Sequence, residues 1–115
     1  MKAFVISTVL ILSGCGFYDA NDKVNLIISC ASGDFEKVKE FSEKVRSLDY
    51  VSIKGDTPLV AASYNGHLTV VKYLIQKGAT CNFPDELGNT AKSVALERGY
   101  KDIVGFLQAD STCTK

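Results

Sequence analysis

Four cysteines, one histidine and an adjacent acid pair, Asp85-Glu86, are the side chains of this 115-residue chain best suited to chemistry, and their spacing limits what they can do. His67 has no second histidine with which to complete a zinc site of the usual kind, and no Cys-x-x-Cys occurs, so no metal is expected. There is no Gly-x-Ser-x-Gly nucleophile elbow and no phosphate-binding Gly-Lys-Ser/Thr loop. Asp85 and Glu86 fall in a predicted loop, where carboxylates are solvated instead of being held apart as acid and base. Neither catalysis nor a cofactor is expected. Thirteen basic residues balance thirteen acidic ones without a Lys/Arg block, which argues against nucleic acid as a partner. With 46% hydrophobic residues and only two prolines, the chain is suited to one small packed domain.

The cysteines must be placed by the elements around them, and the first of these is not part of a fold. Met1 and Lys2 lead into an apolar stretch from Ala3 to Leu12, broken only by Ser7 and Thr8. Ten helical residues rise about 15 Å, half the hydrocarbon core of a bilayer. The length and the positive start fit an export signal. Leu12-Ser13-Gly14-Cys15 then resembles the lipobox of bacterial lipoproteins. That resemblance implies cleavage before Cys15 and acylation of its thiol and new amino terminus. The other reading is an ordinary secretory signal with a chance cysteine, but Tyr18-Asp19-Ala20 puts tyrosine where such a cleavage site needs a small residue. Two or more acyl chains hold a protein stably on a membrane that it does not cross. Residues 1–14 are thus expected to be a lipoprotein signal peptide and residues 15–22 a lipidated tether. In sorting rules known for some Gram-negative lipoproteins, Gly16 after the lipidated cysteine implies the outer membrane over the inner, facing the periplasm.

Behind the tether the sequence repeats. Gly33, Gly66 and Gly99 are spaced by 33, and Val38, Val71 and Val104, then Phe41, Leu74 and Leu107, then Ile28, Ala61 and Val94 keep the same step. The middle copy runs Gly55-Asp56-Thr57-Pro58-Leu59-Val60-Ala61-Ala62 through Asn65-Gly66-His67-Leu68 to Leu74-Ile75-Gln76-Lys77-Gly78-Ala79. In period and motif it resembles an ankyrin repeat. The third copy opens Gly88-Asn89-Thr90-Ala91 and the first lacks the Thr-Pro opening, departures that suit terminal caps. The resemblance spans residues 23–109, with repeats at 23–54, 55–87 and 88–109 and a tail at 110–115. It implies an all-α solenoid of about three pairs of antiparallel helices joined by hairpin-like loops.

The residues supply the physics of such a unit. Thr57 is placed to cap a helix whose first-turn Pro58 gives up no needed hydrogen bond. Ala61, Ala62 and Ser63 allow close approach, and Gly66 suits a left-handed turn. Leu68, Val71, Leu74 and Ile75 form an apolar stripe on a second helix predicted over residues 67–76. In the family pattern His67 caps and orients this turn, while Val60 replaces a usual histidine and removes an interloop hydrogen bond. Lys92, in the register of Leu59, is expected to lay its stem along the stack with its ammonium in water. Cys30 falls on the small-residue face of the first helix and is expected to be buried. Equivalent positions in adjacent repeats lie about a helix diameter, roughly 10 Å, apart, beyond disulfide reach. Cys81 and Cys113 therefore pair only if the tail bends back.

Function must then come from the surface. In ankyrin proteins the loops and the exposed side of the first helices form a concave face that grips a partner protein. The matching positions are Tyr50, Ile53, Lys54, Asp56, Tyr64 and Asn65, followed by Phe83, Glu86, Leu87, Asn89, Glu97 and Arg98. Tyr50 and Phe83 have a second reading, as local packing against the loops. The resemblance implies a membrane-anchored, non-catalytic module, monomeric when unbound. It is similar to immunity proteins that occlude secreted antibacterial toxins such as lipases; a scaffold or chaperone-like adaptor for an envelope enzyme is the alternative.

Overall fold

The computed structural model describes residues 15–111 and 113, with side chains from residue 21 onward. Residues 1–14, on which the expected export signal and the start of the lipobox resemblance fall, lie outside the described residues, as does the side chain of Cys15. Six helices, and no strand among the described residues, form three antiparallel pairs: α1 (Cys15–Ser32) with α2 (Phe35–Ser42), α3 (Pro58–Tyr64) with α4 (Leu68–Gln76), and α5 (Ala91–Arg98) with α6 (Lys101–Ala109). The repeat of 33 in the sequence is thus a repeat of helix pairs.

Each boundary has a local cause. The Thr57 hydroxyl accepts from the Val60 amide at 3.0 Å with Pro58 in the first turn, as its sequence position implies. One period later Thr90 and Ser93 cap α5 reciprocally, each side chain accepting from the other's backbone N–H. Helix α1 begins earlier than the first repeat was expected to. Residues 15–22 are its opening turns, because nothing from Phe17 to Ser32 is glycine or proline. None of the described helices is long and apolar enough to cross a membrane.

The core runs through the stack as one cluster. Leu26, Val38, Val71, Leu74, Ala95 and Ile103 are fully buried, with Leu59 and Leu107 nearly so. Leu68 and Ile75 of the predicted stripe flank the cluster half-buried, and Val70, outside that stripe, is buried within it. Cys30 is completely buried as expected, and burial pushes its thiol up to about 12 by disfavouring the thiolate.

Glycine carries two duties at the turns between paired helices. Gly33 and Gly66 have φ of 80° and 78°, which costs an L side chain strain. They are also seats for the next repeat: a Cβ on Gly33 would lie 2.6 Å from the His67 imidazole, and one on Gly66 2.7 Å from the Tyr100 ring. Here the structure revises the role of His67. Its side chain makes no capping bond to its own helix. Instead Nε2 lies 3.0 Å from the Ala31 carbonyl of the preceding repeat, and because a carbonyl only accepts, Nε2 carries the proton. The histidine joins two repeats.

The loops also join repeats. Asp49, at the end of the first, accepts from the Thr80 amide at 2.8 Å and from the Thr80 hydroxyl. One period on, Cys113 stands in the register of Thr80, and there the chain makes a covalent bond: Cys81 and Cys113 form a disulfide with Cα atoms 5.2 Å apart. A turn closed by Cys113 N–H donating to the Asp110 carbonyl brings the tail back. That is the condition on which the pairing depended.

Candidate functional site

Two hairpin-like loops stand beside the first helices. In one, Ser52 N–H donates to the Asp56 carbonyl and Gly55 N–H to that of Ser52; in the other, Asp85 N–H donates to Asn89 and Gly88 to Asp85. Glu86 N–H donates to the Gly55 carbonyl at 3.0 Å and ties the loops together. Asp85 organises its own loop, Oδ1 accepting from the Leu87 and Asn89 amides and Oδ2 from the Asn89 side chain. It is half-buried, unlike exposed Glu86, so the pair divides into a structural and a solvated member.

Between loops and helices lies a groove of about 350 Å³. Ile27 and Ala31 of α1, Val60 and Ala61 of α3 and Val94 of α5 give it apolar walls. Asp56, Asp85, Leu87, Asn89, Tyr64, Asn65 and Glu97 line the rest. A second depression, lined by Val24, Ile27, Ile28, Ser52, Ile53, Lys54 and Asp56, adjoins it at the first repeat. Large apolar side chains stand in water here: Ile53 is 96% exposed, Leu87 83% and Ile28 59%.

Most of the expected contact residues therefore meet. Asp56, Tyr64, Asn65, Leu87, Asn89 and Glu97 share the groove, and Ile53 and Lys54 line the adjoining depression. Glu86 lies beside them with its carboxylate against Gly55. Arg98 does not line the groove but braces Tyr64, its guanidinium 4.3 Å from the ring centroid and Nη1 3.3 Å from the hydroxyl. A side-chain hydrogen bond from Arg98 to Tyr100, then the charge interaction with Tyr64, raises the Arg98 pKa above its ordinary value. Two aromatics fall outside both depressions. Tyr50 packs against the core, its hydroxyl donating to the Lys23 carbonyl at 2.7 Å and its ring facing the Lys23 ammonium, and Phe83 is half-buried in its loop. For Tyr50 the local-packing reading is the one the contacts match.

The apolar walls and Ile28 were not among the expected contacts. Their signal was in the repeat: Ile28, Ala61 and Val94 share a register, but the latter two are covered by a preceding repeat and Ile28 has none before it among the described residues. The site offers shape, apolar area and carboxylates. Among the described residues no group of three or more His, Cys, Asp or Glu side chains is arranged to hold a metal ion.

The family model for ankyrin repeats in three copies matches residues 8–115. The mouse ankyrin repeat and SAM domain-containing protein 6 is 38% identical over 77 residues, 65% of this chain and 9% of that protein. The human NAD-capped RNA hydrolase NUDT12 is 34% identical over 80 residues, 69% of this chain and 17% of that protein. The chicken E3 ubiquitin-protein ligase MIB2 is 43% identical over 61 residues, 53% of this chain and 6% of that protein. The chain thus spans less than a fifth of the length of each of these relatives, and their differing activities share only a segment of this kind.

Proposed function

Since the chain belongs to the ankyrin-repeat family, whose fold is generally a non-catalytic module for protein–protein interaction, we propose that it grips one partner protein on its concave face while held to a membrane through acyl chains on Cys15. The observation that carries this reading is the groove itself, in which Tyr64 is braced by Arg98 and Leu87 stands open to water. A braced tyrosine loses little freedom on binding, and tyrosine and arginine are the residues that most often anchor interfaces. The anchor rests on Leu12-Ser13-Gly14-Cys15. We propose the bacterial envelope as its place, periplasm-facing and on the outer membrane. Its role there is that of an immunity protein occluding a secreted antibacterial toxin.

Capture from a cell envelope with the full chain tests the binding function. Tyr64→Ala with Leu87→Ala should weaken the complex by about 2–4 kcal/mol, a hot-spot magnitude, with circular dichroism and melting near wild type. A complex unaffected by both changes would remove the concave face from the function. If the captured partner is an envelope enzyme that stays active in the complex, the role is that of an adaptor. Labelled fatty acid should enter wild type and not Cys15→Ser, and failure of wild type to take up label would remove the anchor.

A further inference from the structure

The concave face is not uniform, and its two ends differ in chemistry. The depression at the first repeat is mainly apolar, formed by Val24, Ile28 and the almost fully exposed Ile53, with Lys54 and Asp56 also on its lining. The adjoining groove carries Asp56, Asp85 and Glu97 and no basic side chain on its lining. Asp56 belongs to both, so the two are continuous. Asp85 is engaged by three N–H groups of its own loop. Asp56 and Glu97 form no salt bridge among the described residues. Of the cations nearby, Arg98 stacks on Tyr64 and also interacts with the charge of Glu97, and Lys54 lines the depression, so that Asp56, Asp85 and Glu97 outnumber them. A chain of zero formal charge has therefore gathered carboxylates over an apolar floor.

Resting on the concave-face reading above, we propose that the occupant is an extended cationic segment of the partner protein. One of its aliphatic side chains fills the depression between Val24, Ile28 and Ile53, and one or more lysine or arginine side chains lie in the groove between Asp56 and Glu97. Charge complementarity selects the cation. A carboxylate at the rim of an apolar floor is only partly screened, so a matching charge there adds specificity and speeds encounter, whereas an acidic segment is repelled. The apolar end sets the direction in which the segment lies. Successive side chains of an extended chain alternate faces, so the aliphatic and cationic residues that enter the face are separated by an even number of positions.

The test is selection of linear peptides from a randomised displayed library on the immobilised full chain, followed by titration of the recovered peptides. Recovered sequences should pair an aliphatic residue with lysine or arginine two or four positions away. Asp56→Lys with Glu97→Lys should weaken them at least about tenfold, and Ile53→Ser severalfold. Raising salt from about 0.05 M to about 0.5 M should weaken binding to wild type far more than to the double lysine variant. All three positions are exposed, and unchanged melting curves confirm that the variants fold. Recovery of acidic or uncharged peptides whose binding is lost with Tyr64→Ala and Leu87→Ala would overturn the cationic occupant and leave the concave-face reading intact. Recovery of peptides indifferent to Tyr64, Leu87, Asp56 and Ile53 would overturn both. Recovery of no binding sequence would overturn the extended segment, while the envelope capture would still decide the face.

Discussion

The junction between the first and second repeats and the junction between the second and third are built on the same plan and finished differently. In each, a ring from the later repeat sits on the turn glycine of the earlier one, His67 on Gly33 and Tyr100 on Gly66. In each, one first-helix side chain is sealed under the next repeat, Cys30 in the former and Ser63 in the latter; Leu96, in the same register of the last repeat, is 57% exposed. The first junction is satisfied by noncovalent contacts. Cys30 is a small hydrophobe in an apolar place, His67 reaches the Ala31 carbonyl, and Asp49 holds Thr80. The second seals in a Ser63 hydroxyl that finds no hydrogen-bond partner among the described residues, which is costly for a buried group. Among the described residues that junction alone carries a disulfide. A repeat interface with a polar defect is offset by a bond whose effect does not depend on packing.

The change that should erase the comparison is the one at its centre. Leu74 is fully buried in the middle repeat, and Leu74→Ala should cost about 2–5 kcal/mol, much of what so short an array possesses. A melting curve like that of wild type would mean that the two junctions do not share this core. Removing the bridge should separate them. Cys113→Ser should cost about 2–4 kcal/mol for a closed loop of this length. Hydrogen exchange should then rise in α5 and α6 while α1 and α2 stay protected, and reductant should lower the melting point of wild type but not of the variant.

Smaller effects test the seats and the loop contacts. Gly66→Ala and Gly99→Ala both force alanine into the left-handed region, at about 1–2 kcal/mol. Only Gly66 has a ring upon it, so its variant should melt lower than that of Gly99, and equal losses would mean that Tyr100 contributes nothing. Asp49→Ala should cost about 1 kcal/mol and loosen the first junction alone. Ser63→Ala should act in the opposite sense and raise stability by up to about 1 kcal/mol.

The repeating part of this architecture was legible because its causes are local. Glycines at a spacing of 33, Thr57-Pro58 and the small run at Ala61 each specify a turn, a cap or a close approach. Lys92, half-buried beside the disulfide, has the intermediate exposure its stem was expected to give it. The site was legible in part. Positions on loop tips and first helices led to Asp56, Tyr64, Leu87 and Glu97, but Tyr50 has the same pattern and packs inward through a hydrogen bond to Lys23, 27 residues away. The role of His67 needed its neighbour, since the partner carbonyl belongs to another repeat. The disulfide depended on how far the tail returns, which no repeat period encodes. The continuation of α1 back to Cys15 was missed because a tether and a helix differ there only by the absence of a breaker.

The bridge between Cys81 and Cys113 also has a mechanical meaning. Their separation of 32 residues corresponds to about 110 Å of extended backbone. If the proposed anchor holds the chain at Cys15, a pull from its far end could not release that length, because the load would pass from residue 81 straight to residue 113. The third repeat would be shielded from tension, and the fold would yield from the held end, losing the first pair of helices while the last kept its shape.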